Sequence, residues 1–151
     1  MANSPADSWK SYRQIAAQTA PPGQLVLMLF DGALHALERA LVGFSYADPG
    51  EKNQTIHNNL QRAVDIIRLL NDSLNAEAGG KLAETLHNLY GYFEQRLLDS
   101  NFQKQRGGVD EVIGHLTGLR DAWSRMLSAQ GQESMRQIES GDLLPAEAGP
   151  A

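Results

Sequence analysis

The chain has 151 residues, enough for one domain with a real core, and its 42% hydrophobic and 21% charged residues are those of a folded soluble protein. A net charge of −5 leaves no basic patch of the kind nucleic-acid binding needs, and the absence of cysteine excludes disulfides, thiolate nucleophiles and thiolate-bound zinc. No apolar run approaches the ~18 residues of a membrane span, so no membrane insertion is expected.

The opening stretch MANSPADSWKSYRQ is polar, without an apolar signal core behind a basic start, and the expected location is cytoplasmic. Residues 1–8 are expected to be disordered. Over 9–18, Trp9, Tyr12 and Ile15 recur at every third residue, which predicts a short helical arm with an aromatic face. Such an arm is too short to be stable alone in water and has to dock on something.

The first long helix is predicted at about 22–44. Thr19 is a candidate cap, and proline suits the first helical turn, where its missing N–H is no loss. From Leu25 to Phe30 every residue is apolar, until Asp31 interrupts. Sorted by angle, the helix carries two seams. Leu27, Phe30, Leu34, Leu37, Leu41 and Phe44 form one of large side chains, which reads as a core seam. Leu25, Met28, Leu29, Gly32, Ala33, Ala36 and Ala40 form another, small toward its C-terminal half. Two readings stay open for this second seam: the helix sits centrally and packs on both sides, or the seam is part of a groove for an amphipathic segment.

The second helix is predicted at about 49–74, with Asp48, Pro49 and Glu51 as N-cap, N1 and N3. Its apolar positions are Ile56, Leu60, Ala63, Ile67, Leu70 and Leu74. AEAGG at 76–80 separates it from a third helix at about 81–101, with Leu82, Leu86, Leu89, Phe93 and Leu97. The fourth is predicted at about 109–129, with Val109, Val112, Leu116, Leu119, Trp123 and Met126, and Gly131 offers a stop. Residues 132–151 are expected to form a flexible tail, in which QESMRQIE (132–139) either prolongs the helix or makes a loose turn. Four amphipathic helices on short connections predict an all-α fold: an antiparallel four-helix bundle with a short N-terminal helical arm, its domain spanning 9–131.

A bundle invites a carboxylate-bridged di-metal reading, which needs Glu-x-x-His on two helices. The chain has one, Glu84 to His87, and Glu84 points away from the Leu82, Leu86, Leu89 and Phe93 face. His35, His57 and His115 sit on separate helices, and no nucleotide-binding or nucleophile-elbow motif occurs. No catalytic residue, metal ligand or cofactor is expected, and the protein reads as one that binds.

Several motifs in order carry a resemblance: Tyr12, the turn Thr19-Ala20-Pro21, the run Leu25 to Ala33 (Leu-x-x-Met-Leu-aromatic-Asp-Gly-Ala), NLYGYFEQRLLDSN at 88–101 and LTGLRDAWSRML at 116–127. Over roughly 9–128 the chain resembles the FliS family of flagellin chaperones, with Phe30 where that family commonly has tyrosine. The resemblance implies a cytosolic helical bundle whose client is the disordered C-terminal region of flagellin. The chaperone would keep that region from polymerising and deliver it to the flagellar type III export apparatus, whose export-gate components are further implied partners. It also implies that the client folds into helices over an apolar surface partly occupied by the arm, through Tyr12 and Ile15, in the free protein. The candidate partner-binding residues are thus Tyr12, Ile15, Leu25, Met28, Leu29, Gly32, Ala33, Ala36 and Ala40. The alternatives are a helical adaptor for another client and a di-metal bundle enzyme.

Overall fold

The computed structural model describes residues 22–74 and 76–141, so the expected arm at 9–18, with Trp9, Tyr12 and Ile15, lies outside the described residues. Four helices follow in chain order: α1 (Pro22–Phe44), α2 (Pro49–Asp72), α3 (Ala76–Gln103) and α4 (Gly107–Ser140). The described residues contain no strand. The start of α2 is capped as its sequence predicts. The Asp48 carboxylate accepts from the Glu51 N–H at 2.8 Å, with proline in the first turn, which satisfies one of the helix's orphan donors.

Two helices run differently from expectation. A turn of helix at 76–79 precedes a kink at Gly80 (φ 54°, ψ −124°), so α3 is regular only from Lys81. The fourth helix does not stop at Gly131 but continues to Ser140, so residues 132–140 are helix rather than flexible tail. The reason is the different cost of the two glycines. Inside a helix a glycine costs only about 1 kcal/mol. A left-handed residue ends a helix readily, and Gly141 supplies one at φ 79°, its N–H bonding to the carbonyls of Gln137 and Ile138.

The helices contact one another in the cyclic order α1–α2–α3–α4–α1. Cross-links show that α2–α3, α3–α4 and α4–α1 are each antiparallel. Between α2 and α3, His57 pairs with Asn101 (2.9 Å), Arg68 with Glu94 (2.6 Å) and Asn71 with His87 (2.8 Å), one number rising as the other falls. Between α3 and α4, Tyr92 and Arg96 both bond Glu111, and Phe93 stacks on His115 with ring centroids 5.5 Å apart. Between α4 and α1, Arg120 meets Asp31 at 2.8 Å and the Trp123 indole N–H donates to the Gly23 carbonyl at 2.9 Å.

The closest helix pair is α1 with α2. Ala33, Ala36 and Ala40 are fully buried there, and large branched side chains of α2 (Ile56, Leu60, Ile66, Ile67) complete the core. Gly43 shows how near the backbones come: a β-carbon there would stand 2.9 Å from the Thr55 methyl and 3.2 Å from the Ile56 amide nitrogen. Small residues on one helix and large ones on its partner fill the space at crystal-like density.

Candidate functional site

The core does not run the full length of the bundle. On α3, Phe93 and Leu97 are 0% exposed and Tyr90 3%. Toward the N-terminus, Leu89 and Leu86 are half-buried and Leu82 is 66% exposed, beside a small Ala83 that is buried at 5%. On α4, Val109, Val112 and Leu116 are fully buried, Leu119 and Trp123 are half-buried, and Met126 is 39% exposed. In both helices these residues continue one stripe at spacings of three and four, so Leu82 and Met126 point along the same face as the core residues. Carrying the Phe93–His115 pairing along the antiparallel register sets Leu82 opposite Met126. The two exposed residues therefore end one shared apolar surface.

Two features close the far end and are missing here. Gly108 lies directly under Ser100, with the Arg96 carbonyl 3.1 Å from where a β-carbon would be, so α3 and α4 touch backbone to backbone. Among the described residues, the polar and aromatic links between these helices all fall on the far side of Tyr92 and Glu111 or at the Phe93–His115 stack. In addition, α2 ends too soon to cover the opening. Asn71 faces His87, and α2 stops at Asp72, so Leu82 stands about a turn beyond its end.

The resulting surface is apolar, lined by Leu82, Leu86 and Leu89 from α3 and by Leu119, Trp123 and Met126 from α4. The Trp123 N–H is satisfied by the Gly23 carbonyl, which ties the indole to the start of α1. The Glu111 carboxyl is held below the usual carboxylate range by the Tyr92 hydroxyl, with Arg96 adding to the effect. The Tyr90 phenol, where closed core gives way to open surface, is pushed up to about 12 by burial. Such a surface can hold the apolar face of an amphipathic segment. Among the described residues no cluster of three or more His, Cys, Asp or Glu could hold a metal ion. Glu84 and His87 are both exposed, and the His87 ring bonds Asn71.

The residues singled out from sequence separate into three groups. Leu29, Ala33, Ala36 and Ala40 belong to the buried core, Leu29 at 6% exposure and the alanines at 0%. The small-residue seam is therefore not an open groove along these four positions: α2 fills it, which is what small side chains permit. Leu25, Met28 and Gly32 are half-buried, and Leu25 and Met28 lie on the first two turns of α1, at the open end. Tyr12 and Ile15 lie outside the described residues. The large seam is also divided, with Phe30 and Leu37 buried while Leu27, Leu34, Leu41 and Phe44 are half-buried. The surface formed by α3 and α4 was missed because its residues repeat exactly like core. The available cue was length: α2 ends before α3's apolar stripe begins.

A family model described as "Flagellar protein FliS" matches residues 5–130. The chain belongs to the FliS family. Curated relatives agree along most of their length. The flagellar secretion chaperone FliS of Salmonella typhimurium (strain LT2) is 36% identical, over 85% of this chain and 97% of the relative. That of Escherichia coli (strain K12) is 35% identical over 81% and 90%, and that of Bacillus subtilis (strain 168) 32% over 83% and 90%. This is a family of secretion chaperones and not of enzymes. The family match ends at Gln130, whereas α4 runs on to Ser140.

Proposed function

We propose that this FliS-family chain is a cytoplasmic export chaperone that binds the disordered C-terminal region of flagellin, prevents its premature polymerisation and aids its delivery to the flagellar type III export apparatus. The observation that carries the reading is the open end of the bundle, where the apolar stripes of α3 and α4 leave the core and reach solvent at Leu82 and Met126. Relatives named as flagellar secretion chaperones support the client class. Leu25 and Met28, half-buried at the start of α1, extend the proposed surface.

The physics of such a role is coupled folding. Ordering a disordered segment costs about 2–5 kcal/mol of the gross interaction energy, which a long apolar contact has to offset. Methionine beside leucine suits that task, since its flexible thioether adapts to different side chains. The test is calorimetry and circular dichroism with a flagellin C-terminal peptide. A one-to-one complex with a gain of helix and a negative heat-capacity change is expected. Neither binding nor helix gain would remove the flagellin assignment. Leu82→Asp with Met126→Asp should weaken the complex about tenfold or more, roughly 1.4 kcal/mol, and unchanged affinity would move the site elsewhere.

A further inference from the structure

The last third of α4 overhangs the bundle. Gly23, at the start of α1, lies against Leu127, so residues 128–140 project beyond it, a reach of about 20 Å at 1.5 Å per residue. Along this overhang Ser128, Gly131, Met135 and Ile138 are spaced three, four and three, the repeat by which one helix packs on another. Met135 is 58% exposed and Ile138 49%. The space over Gly131 is open: a β-carbon added there would meet no atom within 4 Å. A furrow runs along this face, lined by Gly131, Gln132, Met135 and Glu139. The seam thus carries its small residues toward the bundle and its large ones toward the tip.

That gradient makes the seam complementary to itself. Turned end for end, a second overhang sets its Gly131 against Met135 and its Ser128 against Ile138, so a large residue meets a small one at every layer. A parallel copy would oppose glycine to glycine and methionine to methionine. Charge selects the same arrangement. Arg125 and Glu139, both exposed, flank the seam on one side, two heptads apart with Gln132 midway. A two-fold axis brings that flank onto its own counterpart. Arg125 of each helix then meets Glu139 of the other, and the two Gln132 amides meet at the centre. Glu133, two residues from both Gly131 and Met135, points the opposite way. Length fits as well: the register sets Leu127 of one copy level with Glu139 of the other, so each bundle begins where the other overhang ends. We propose that a second copy of this chain docks on the overhang, the two α4 helices packing antiparallel about a two-fold axis at residue 133. About 20 Å of paired helix buries less than the ~1,200 Å² of a standard interface, so the pair is weak and forms as concentration rises. Gly131, Met135 and Ile138 lie beyond the family match, and the inference is independent of what client the bundle binds.

The chain has no native cysteine, so a single introduced one reports contact between copies cleanly. In the full-length protein Gln132→Cys should form an intermolecular disulfide under mild oxidation, in a yield that rises with concentration. Glu133→Cys, at the same level but on the opposite side of the helix, should give several-fold less. Equal yields would mean random collision and overturn the proposal. Sedimentation of the native protein should show its average mass rising from monomer toward dimer with concentration, whereas Met135→Asp with Ile138→Asp should hold it monomeric at unchanged helix content. A native protein that stays monomeric throughout would overturn the proposal, and so would a dimer that survives the double substitution. Arg125→Glu or Glu139→Arg alone should weaken association several-fold, and the two together should restore it. Loss without restoration would overturn the antiparallel register.

Discussion

At one end of the bundle two short connections, Ser45 to Asp48 and Lys104 to Arg106, tie α1 to α2 and α3 to α4. Glycine brings the backbones together there, at Gly43 and Gly108. Lys104 donates to the Asn101 carbonyl and side-chain oxygens (2.6 and 2.5 Å), which turns the Asn101 amide toward His57 on α2. Burial lowers the Lys104 ammonium below its ordinary range. At the other end, one connection, α2 to α3, carries a kink at Gly80, and the same leucine stripes that are buried elsewhere are left open. Identical hydrophobic patterning gives core where the helices are held and surface where they are not. Helix length and closure, more than residue type, separate the closed end from the open end.

The largest test of that contrast is a pair of truncations. Phe93→Ala removes a ring that is 0% exposed and stacked on His115, and should cost about 3–5 kcal/mol. Leu82→Ala, on the same stripe but 66% exposed, should cost less than about 1 kcal/mol. Urea denaturation of both variants measures the difference. Equal losses would mean that the two ends are equally packed and that the open surface is no surface at all.

A second test sits at the boundary. Tyr90 has its phenol pushed up to about 12 by burial, against about 10 in the unfolded chain. The folded state thus favours the neutral ring. The stability tied to it is fully present below about pH 10 and is lost as pH rises toward 12, on the order of 2–3 kcal/mol in all. Denaturation at about pH 9 and about pH 11.5 should show the wild type losing that much more than Tyr90→Phe, whose ring does not ionise. Matching losses would place Tyr90 in contact with water, and the closed core would then end before it.

How far the sequence could be read follows the same division. The cap at Asp48 was legible because capping is local: one side chain, one amide three residues on. The bundle was legible because four separate stripes need one another. The roles of the two seams on α1 were not. Whether Ala33 and Ala36 face a partner or another helix depends on how closely α2 approaches, and that is fixed by Gly43 and Thr55 together, not by either stretch alone. The end of α4 was misplaced because Gly131 and Gly141 look alike in sequence, and only the second has a left-handed backbone. Leu82 and Met126 were hidden by their regularity, since periodicity reports which way a side chain points and not whether anything stands opposite.

The smallest expected effect concerns how freely α1 and α4 can part. Asp31, the residue that interrupts the apolar run of α1, pairs with Arg120 at 2.8 Å, and the carboxylate raises the arginine's pKa further. The pair is not sheltered: the arginine side chain is 34% exposed and the aspartate 52%. Water and salt screen such a bond, and the two side chains lose rotamer freedom to make it. A double-mutant cycle with Asp31→Asn and Arg120→Gln should give a coupling of about 0–1 kcal/mol in dilute buffer, shrinking further at about 1 M salt. A coupling above about 2 kcal/mol would make this seam a lock comparable to the closed end. A value in the expected range leaves the α1–α4 seam held by its packing at Gly23 and Leu127 and by the Trp123 indole bond to the Gly23 carbonyl, and not by this ion pair.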